Sequence, residues 1–203
     1  MGATISTFDP YSLEGHYGLD MACYLLHQQQ PRSVRISACD AEVVKAAARR
    51  LDWVAEPLLV ETPQLASVLM EQLGLRSVCA AELRADAALV LLPAGLSGLP
   101  PMASFIVTVA QNALSYKSLL YPGQVGSNVF TLLRWLKQRY IICEQVGLFG
   151  PRFVFNWALS QLAGVRWAPE HFRFGQRAID NLYSTGSLWW LGYLVVVAAR
   201  QKA

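Results

Sequence analysis

Charge is what this chain has least of: Asp, Glu, Lys and Arg make up 15% of it, against roughly a quarter of an average globular chain. Hydrophobic residues reach 54%. That combination excludes an intrinsically disordered protein, which needs low hydrophobicity and high net charge, and it calls for a large core, a partner interface, or both. Seventeen Lys and Arg against fourteen Asp and Glu leave +3, too mild a balance to imply nucleic-acid binding without a clustered patch. A length of 203 residues fits one domain, and folding a chain of this size buries about 70% of its unfolded surface. Residues 1–30 are expected as an arm and a helix, and 31–203 as the body of the domain.

Cysteine pairs and long apolar runs are missing too. Cys23, Cys39, Cys79 and Cys143 form no CxxC, which argues against zinc. Their apolar neighbours suggest buried free thiols in the cytoplasm or another reducing compartment. The first twenty residues carry Asp9, Glu14 and Asp20 and lack a basic start and an apolar run, so no signal peptide is expected. No charge occurs between Asp86 and Lys117, but Pro93, Gly95, Gly98, Pro100 and Pro101 break that stretch well short of the roughly 20 apolar residues a membrane helix requires. Leu188–Ala199 is too short to span and reads as a buried strand. No transmembrane segment is expected.

Histidine is equally scarce. His16 and His27 lie eleven residues apart on one expected helix, about 16 Å by helical rise, and cannot share a metal. His171 is open to two readings, a general base or a solvent-facing loop histidine. No GxSxG, HExxH, P-loop or HxE…PCxxC pattern occurs, so no catalytic residue and no metal site is assigned.

What is present is a rhythm. A helix is expected over 13–29 and stops at Pro31. Strands are expected at Ser33–Ala38, Pro57–Glu61, Arg76–Ala81, Ala87–Leu92, Ser104–Ala110, Tyr140–Val146 and Trp189–Ala199. Helices are expected at Ala41–Trp53, at Pro63–Leu75 with Gly74 as its stop, and at Asn128–Arg139. Strands alternating with helices mean parallel pairing through right-handed crossovers. Strands that are apolar throughout mean a sheet covered on both faces.

This order, and three segments of the C-terminal half, SFIVTVAQNALSYKSLLYP (104–122), LLRWLKQRYIICEQVGLFGPRF (132–153) and LWWLGYLVVVAARQ (188–201), resemble class I S-adenosylmethionine (SAM) methyltransferases. The resemblance covers about residues 15–200. It implies an α/β, Rossmann-like, seven-stranded, mostly parallel sheet whose last strand inserts antiparallel, with helices on both faces. It also implies a glycine-rich turn after the first strand, because the backbone there must come close to the cofactor. If Cys39 aligns with the cysteine often found in that turn, Ala38, Asp40 and Glu42 stand at the three glycine positions and Ile36 at the acidic one. The added Cβ atoms, and two carboxylates where the cofactor's own carboxylate would sit, disfavour SAM. Each like-charge pair at 4 Å costs on the order of 4 kcal/mol at an effective dielectric of 20.

Glu61, 22 residues after Cys39, stands where the family holds the ribose hydroxyls; without the glycine turn it reads rather as an acidic residue at a strand-to-helix junction. After the fourth strand, residues 92–101 lead almost directly into the fifth, so a helix usual in the family is largely deleted. The expected function is that of a degenerate methyltransferase-like scaffold or partner subunit without a cofactor. The alternative is an active SAM-dependent methyltransferase, or a repurposed enzyme acting on a small molecule.

The connection 147–188 is the longest, and connections of that length are usually functional or an interface. It holds Phe149, Phe153, Trp157, Trp167, Phe172 and Arg173, expected as anchors for a protein partner or a second copy of the chain. Arg166, Arg173 and Arg177 with Trp167, Phe172 and Phe174 form the one basic–aromatic cluster, read as a protein or small-molecule contact and not as a nucleic-acid site. Tyr183, Trp189 and Trp190 are expected as core or interface.

Overall fold

The computed structural model describes residues 13–38, 40–79, 83–91, 103–115, 128–149, 166–167, 173–174, 177–178, 182–185 and 188–202. In chain order the elements are α1 (Leu13–His27), β1 (Val34–Ala38), α2 (Ala41–Ala48), β2 (Leu58–Val60), α3 (Pro63–Leu73), β3 (Ser77–Cys79), β4 (Ala85–Leu91), β5 (Ala103–Gln111), α4 (Val129–Arg139), β6 (Tyr140–Phe149), β7 (Arg166–Trp167), β8 (Arg173–Phe174), β9 (Arg177–Ala178), β10 (Leu182–Ser184) and β11 (Leu194–Gln201).

The main sheet runs β3-β2-β1-β4-β5-β11-β6-β10-β7. The pairs from β3 to β5 are parallel. β11 inserts antiparallel between β5 and β6, as the resemblance implies for the last strand. Two short strands from the long connection, β10 and β7, continue the sheet antiparallel beyond the expected seven, and β8 pairs with β9 apart from it.

Both sheet faces are covered. Val34 and Ile36 of β1, Leu89 of β4, Val107 and Val109 of β5 and Val196 of β11 share one core with buried side chains of α1 and α2 and with Leu69 of α3. The alternate positions Ala88, Val90, Ile106, Ala110, Val195 and Val197 share a second core with Val129, Leu132, Leu133 and Leu136 of α4. Period-two alternation puts both sets on one strand run, which is why the strands read as apolar throughout.

The helix ends follow from local chemistry. Thr62 caps α3 by accepting the Leu65 N–H at 3.3 Å, Pro63 opens it, and Gly74 closes it at φ 65°, a left-handed conformation that favours glycine. Asn128 caps α4, accepting the N–H groups of Phe130 and Thr131.

Two boundaries differ most from expectation. α2 stops at Ala48 instead of reaching Trp53, because the chain tightens into three-residue turns there. Side chains also take carbonyls at its end: Arg50 Nη1 donates to Ala46 O at 2.7 Å and Trp53 Nε1 to Arg50 O at 2.9 Å. The last strand starts at Leu194, not Trp189, since Trp189–Leu191 coil into a 3-10 turn. Asn112, buried at the end of β5, holds that turn. Its side-chain N–H₂ donates to the carbonyls of Trp190 and, at 2.9 Å, Gly192, and its backbone N–H donates to Tyr193 O at 3.0 Å. A Cβ on Gly147 would lie 1.9 Å from Trp189 O, so the turn fits against β6 only over glycine.

Candidate functional site

The order of the sheet reverses at β1 and β4: β2 and β3 lie to one side, β5 and β11 to the other. In open α/β sheets ligands sit beyond the carboxyl ends of the strands at such a switch point. The residues there are Ala38 at the end of β1, Asp40 and Glu42 at the start of α2, and Glu61 directly after β2. All four expected positions thus fall on the carboxyl edge of two adjacent strands and the helix that follows the first. Cys39 lies outside the described residues.

Asp40 is the N-cap of α2, with extended backbone (φ −121°, ψ 130°). Its Oδ1 accepts the Glu42 N–H at 2.8 Å. A helix N-terminus offers unpaired N–H groups and a positive dipole end to an anion; here the chain's own carboxylate takes one of those groups. Glu42 extends into solvent and pairs with Lys45 Nζ at 2.6 Å, an exposed ion pair that contributes little to stability.

Glu61 is tied inward. Ser37 Oγ donates to Glu61 Oε1 at 2.5 Å, joining β1 to the end of β2, and Cys79 Sγ donates to Glu61 O at 3.5 Å, joining β3 as well. Ser37 is buried and was not anticipated as part of this group. The register brings it there: with Arg35 opposite Leu59, Ser37 comes level with Glu61, and Ser37 holds the one hydroxyl in β1.

Behind this edge, α1 and α2 are locked by a largely buried ion pair, Arg50 Nε to Asp20 Oδ1 at 2.5 Å, with Arg50 Nη2 also in contact with His16 Nδ1. His27 packs its ring edge-on against Trp53 at 4.9 Å. Among the described residues no group of three or more His, Cys, Asp or Glu could hold a metal ion, and no helix is long and apolar enough to cross a membrane.

Two expectations are corrected. The cysteines are not uniformly buried: Cys23 is buried, Cys79 half-buried and Cys143 exposed, because one face of the first half of β6 is open, with Ile141 also exposed while Tyr140 is buried. Burial pushes the Cys23 thiol far above its ordinary range. Phe149, expected as a surface anchor, is fully buried within the chain at the end of β6, opposite Leu182 of β10; it is core. Trp167 lies in β7 and Arg173 in β8, while Phe153, Trp157, His171 and Phe172 lie outside the described residues. Trp189 and Trp190 pack, half-buried, against the core beneath α4.

No protein-family model matches the chain, and no curated protein matches it. Solved structures do. The methyltransferase domain of bacterial CtHen1 matches over 95% of this chain and 100% of that one, with a TM-score of 0.51 at 9% identity. The plantazolicin methyltransferase BpumL, solved with SAH, matches over 97% and 92%, with a TM-score of 0.47 at 14% identity. A structure described as a predicted O-methyltransferase, Atu636 of Agrobacterium tumefaciens, matches over 92% and 81%, with a TM-score of 0.46 at 12% identity. The chain has the Rossmann-like methyltransferase fold.

Proposed function

We propose that the chain is a degenerate methyltransferase-like protein that does not bind SAM in the ordinary way and acts as a scaffold or partner subunit. The observation that carries this is the Asp40 carboxylate seated on the Glu42 N–H at the first turn of α2. The resemblance implies that the cofactor passes over this turn against bare backbone. Residues 38, 40 and 42 each add a Cβ to that turn, and Asp40 and Glu42 carry the same charge as the cofactor's carboxylate, that of Glu42 being paired with Lys45. These residues do not fit SAM in its ordinary pose.

The scaffold role draws on the aromatic connection 147–188. Phe153, Trp157, Trp167, Phe172 and Arg173 remain its candidate anchors for a protein partner or a second copy of this chain, since aromatic and Arg side chains dominate interface energetics.

One residue favours the second reading, an active SAM-dependent methyltransferase or a repurposed small-molecule enzyme: Glu61 keeps an acidic side chain directly after β2. Its short hydrogen bond from Ser37 turns one of its oxygens to the protein's own use, which supports the first reading.

The test is restoration. Replacing Asp40→Gly together with Glu42→Gly removes two negative charges and two side chains, and SAM affinity measured by calorimetry is expected to rise by at least about tenfold, the equivalent of ~1.4 kcal/mol. Unchanged affinity in the double variant would show that this turn is not what excludes the cofactor.

A further inference from the structure

The opposite, amino edge of the sheet holds a separate cleft of about 490 Å³, within the range of small-molecule sites. Its walls come from the α1–β1 junction (Gln29, Gln30, Arg32), from β4 (Asp86), from β5 (Phe105) and from β11 (Arg200). Four elements distant in sequence thus converge on it.

Hydrogen-bond donors dominate the cleft. Arg32 and Arg200 both line it and are both exposed. Arg200 Nη2 donates to Gln29 Oε1 at 3.1 Å; that bond fixes the Arg200 fork and engages the Gln29 amide through its oxygen, leaving its N–H₂ as the donor side. The one acid, Asp86, is turned to the backbone: its Oδ2 accepts the N–H groups of Arg32 at 3.1 Å and Ser33 at 3.3 Å. Arg84, which donates to Gln201 at 2.7 Å, and Lys202 add positive charge on the same edge.

The end of α1 shapes one wall. Gln30 sits at φ 47°, the one non-glycine residue with positive φ among those described. A left-handed residue at this place closes α1, whose last turn tightens through Gln29 N–H to Leu26 O and Gln30 N–H to His27 O. Gln30 is held there by its own amide, which donates to His27 O at 2.8 Å, and it lines the same cleft.

We propose that this cleft binds a small organic phosphate, with the Arg32 and Arg200 guanidinium groups on the phosphate oxygens and the organic part lying toward Phe105. Arginine forks match phosphate geometry and form the stronger, charge-assisted hydrogen bonds. The volume exceeds what a bare inorganic ion fills. The proposal is independent of the carboxyl-edge site and of whether SAM binds there.

Calorimetric titration of the full chain tests it with ribose 5-phosphate, with inorganic phosphate for the headgroup alone and ribose as the neutral control. Ribose 5-phosphate is expected to bind, inorganic phosphate more weakly and ribose not at all, with affinity falling as salt screens the charges. Arg32→Gln with Arg200→Gln should weaken ribose 5-phosphate at least about tenfold without moving the melting temperature, since both side chains are exposed. Asp40→Gly with Glu42→Gly should leave it unchanged. No binding of either phosphate up to about 10 mM, or equal affinity in the Arg32/Arg200 double variant, would overturn the proposal.

Discussion

At Asp40 one carboxylate serves structure and, on the proposed reading, exclusion. It caps α2 through the Glu42 N–H, and it places a negative charge on the turn that the resemblance reserves for bare backbone. The two roles separate by substitution. Asp40→Ala is expected to cost about 1 kcal/mol of folding stability, whereas Asp40→Gly costs a few tenths, because glycine is itself a tolerable N-cap. Urea denaturation of the two variants reads the difference; equal stability of Asp40→Ala and the natural protein would remove the capping role. Sequence alone made Asp40 and Glu42 visible, since they interrupt an expected glycine pattern. It did not make the cap visible, because a cap depends on the backbone angle of one residue. Nor did it single out Ser37, whose importance arises only when parallel register sets it beside Glu61. The Arg50–Asp20 ion pair was hidden for the same reason: thirty residues separate its partners, and only the packing of α1 on α2 joins them.

At the scale of elements, strands were the most legible feature. The runs from Ser33 to Ala110 are nearly continuously apolar because both faces of β1, β4 and β5 are covered, and every one of the expected strands forms. Gly74 marked a helix end correctly because glycine has a specific local use there, the left-handed residue that closes α3. Trp189–Leu191 were misread as strand because aromatic and branched residues are common in strands, while the 3-10 turn they form is dictated by Asn112, far away in sequence. β7 and β10 were missed because Arg166–Trp167 and Leu182–Ser184 lie in no apolar run, unlike the equally short β2. The turn also depends on Gly147, whose missing side chain admits the Trp189 carbonyl. Gly147→Ala forces the turn and β6 apart, and overpacking of this kind typically costs about 1–3 kcal/mol. A denaturant midpoint equal to that of the natural protein would show that the turn shifts freely, against the packing described here.

At the scale of the molecule, the chain combines a methyltransferase-like sheet with a long aromatic connection, two strands of which extend that sheet. The proposed interface predicts a particle heavier than 22.5 kDa by light scattering, whether as a homo-oligomer or with an obligate partner. Trp167→Ser with Phe172→Ser should dissociate it and leave the fold intact by circular dichroism. A strict monomer in which the same substitutions lower stability without changing mass would assign those side chains to the chain's own core, as Phe149 already is. The central claim, however, concerns the carboxyl edge, and the most direct measurement of it is calorimetric titration of the natural protein with SAM. The account predicts no binding tighter than about 1 mM, a level that corresponds to only ~4 kcal/mol. A micromolar dissociation constant would contradict it.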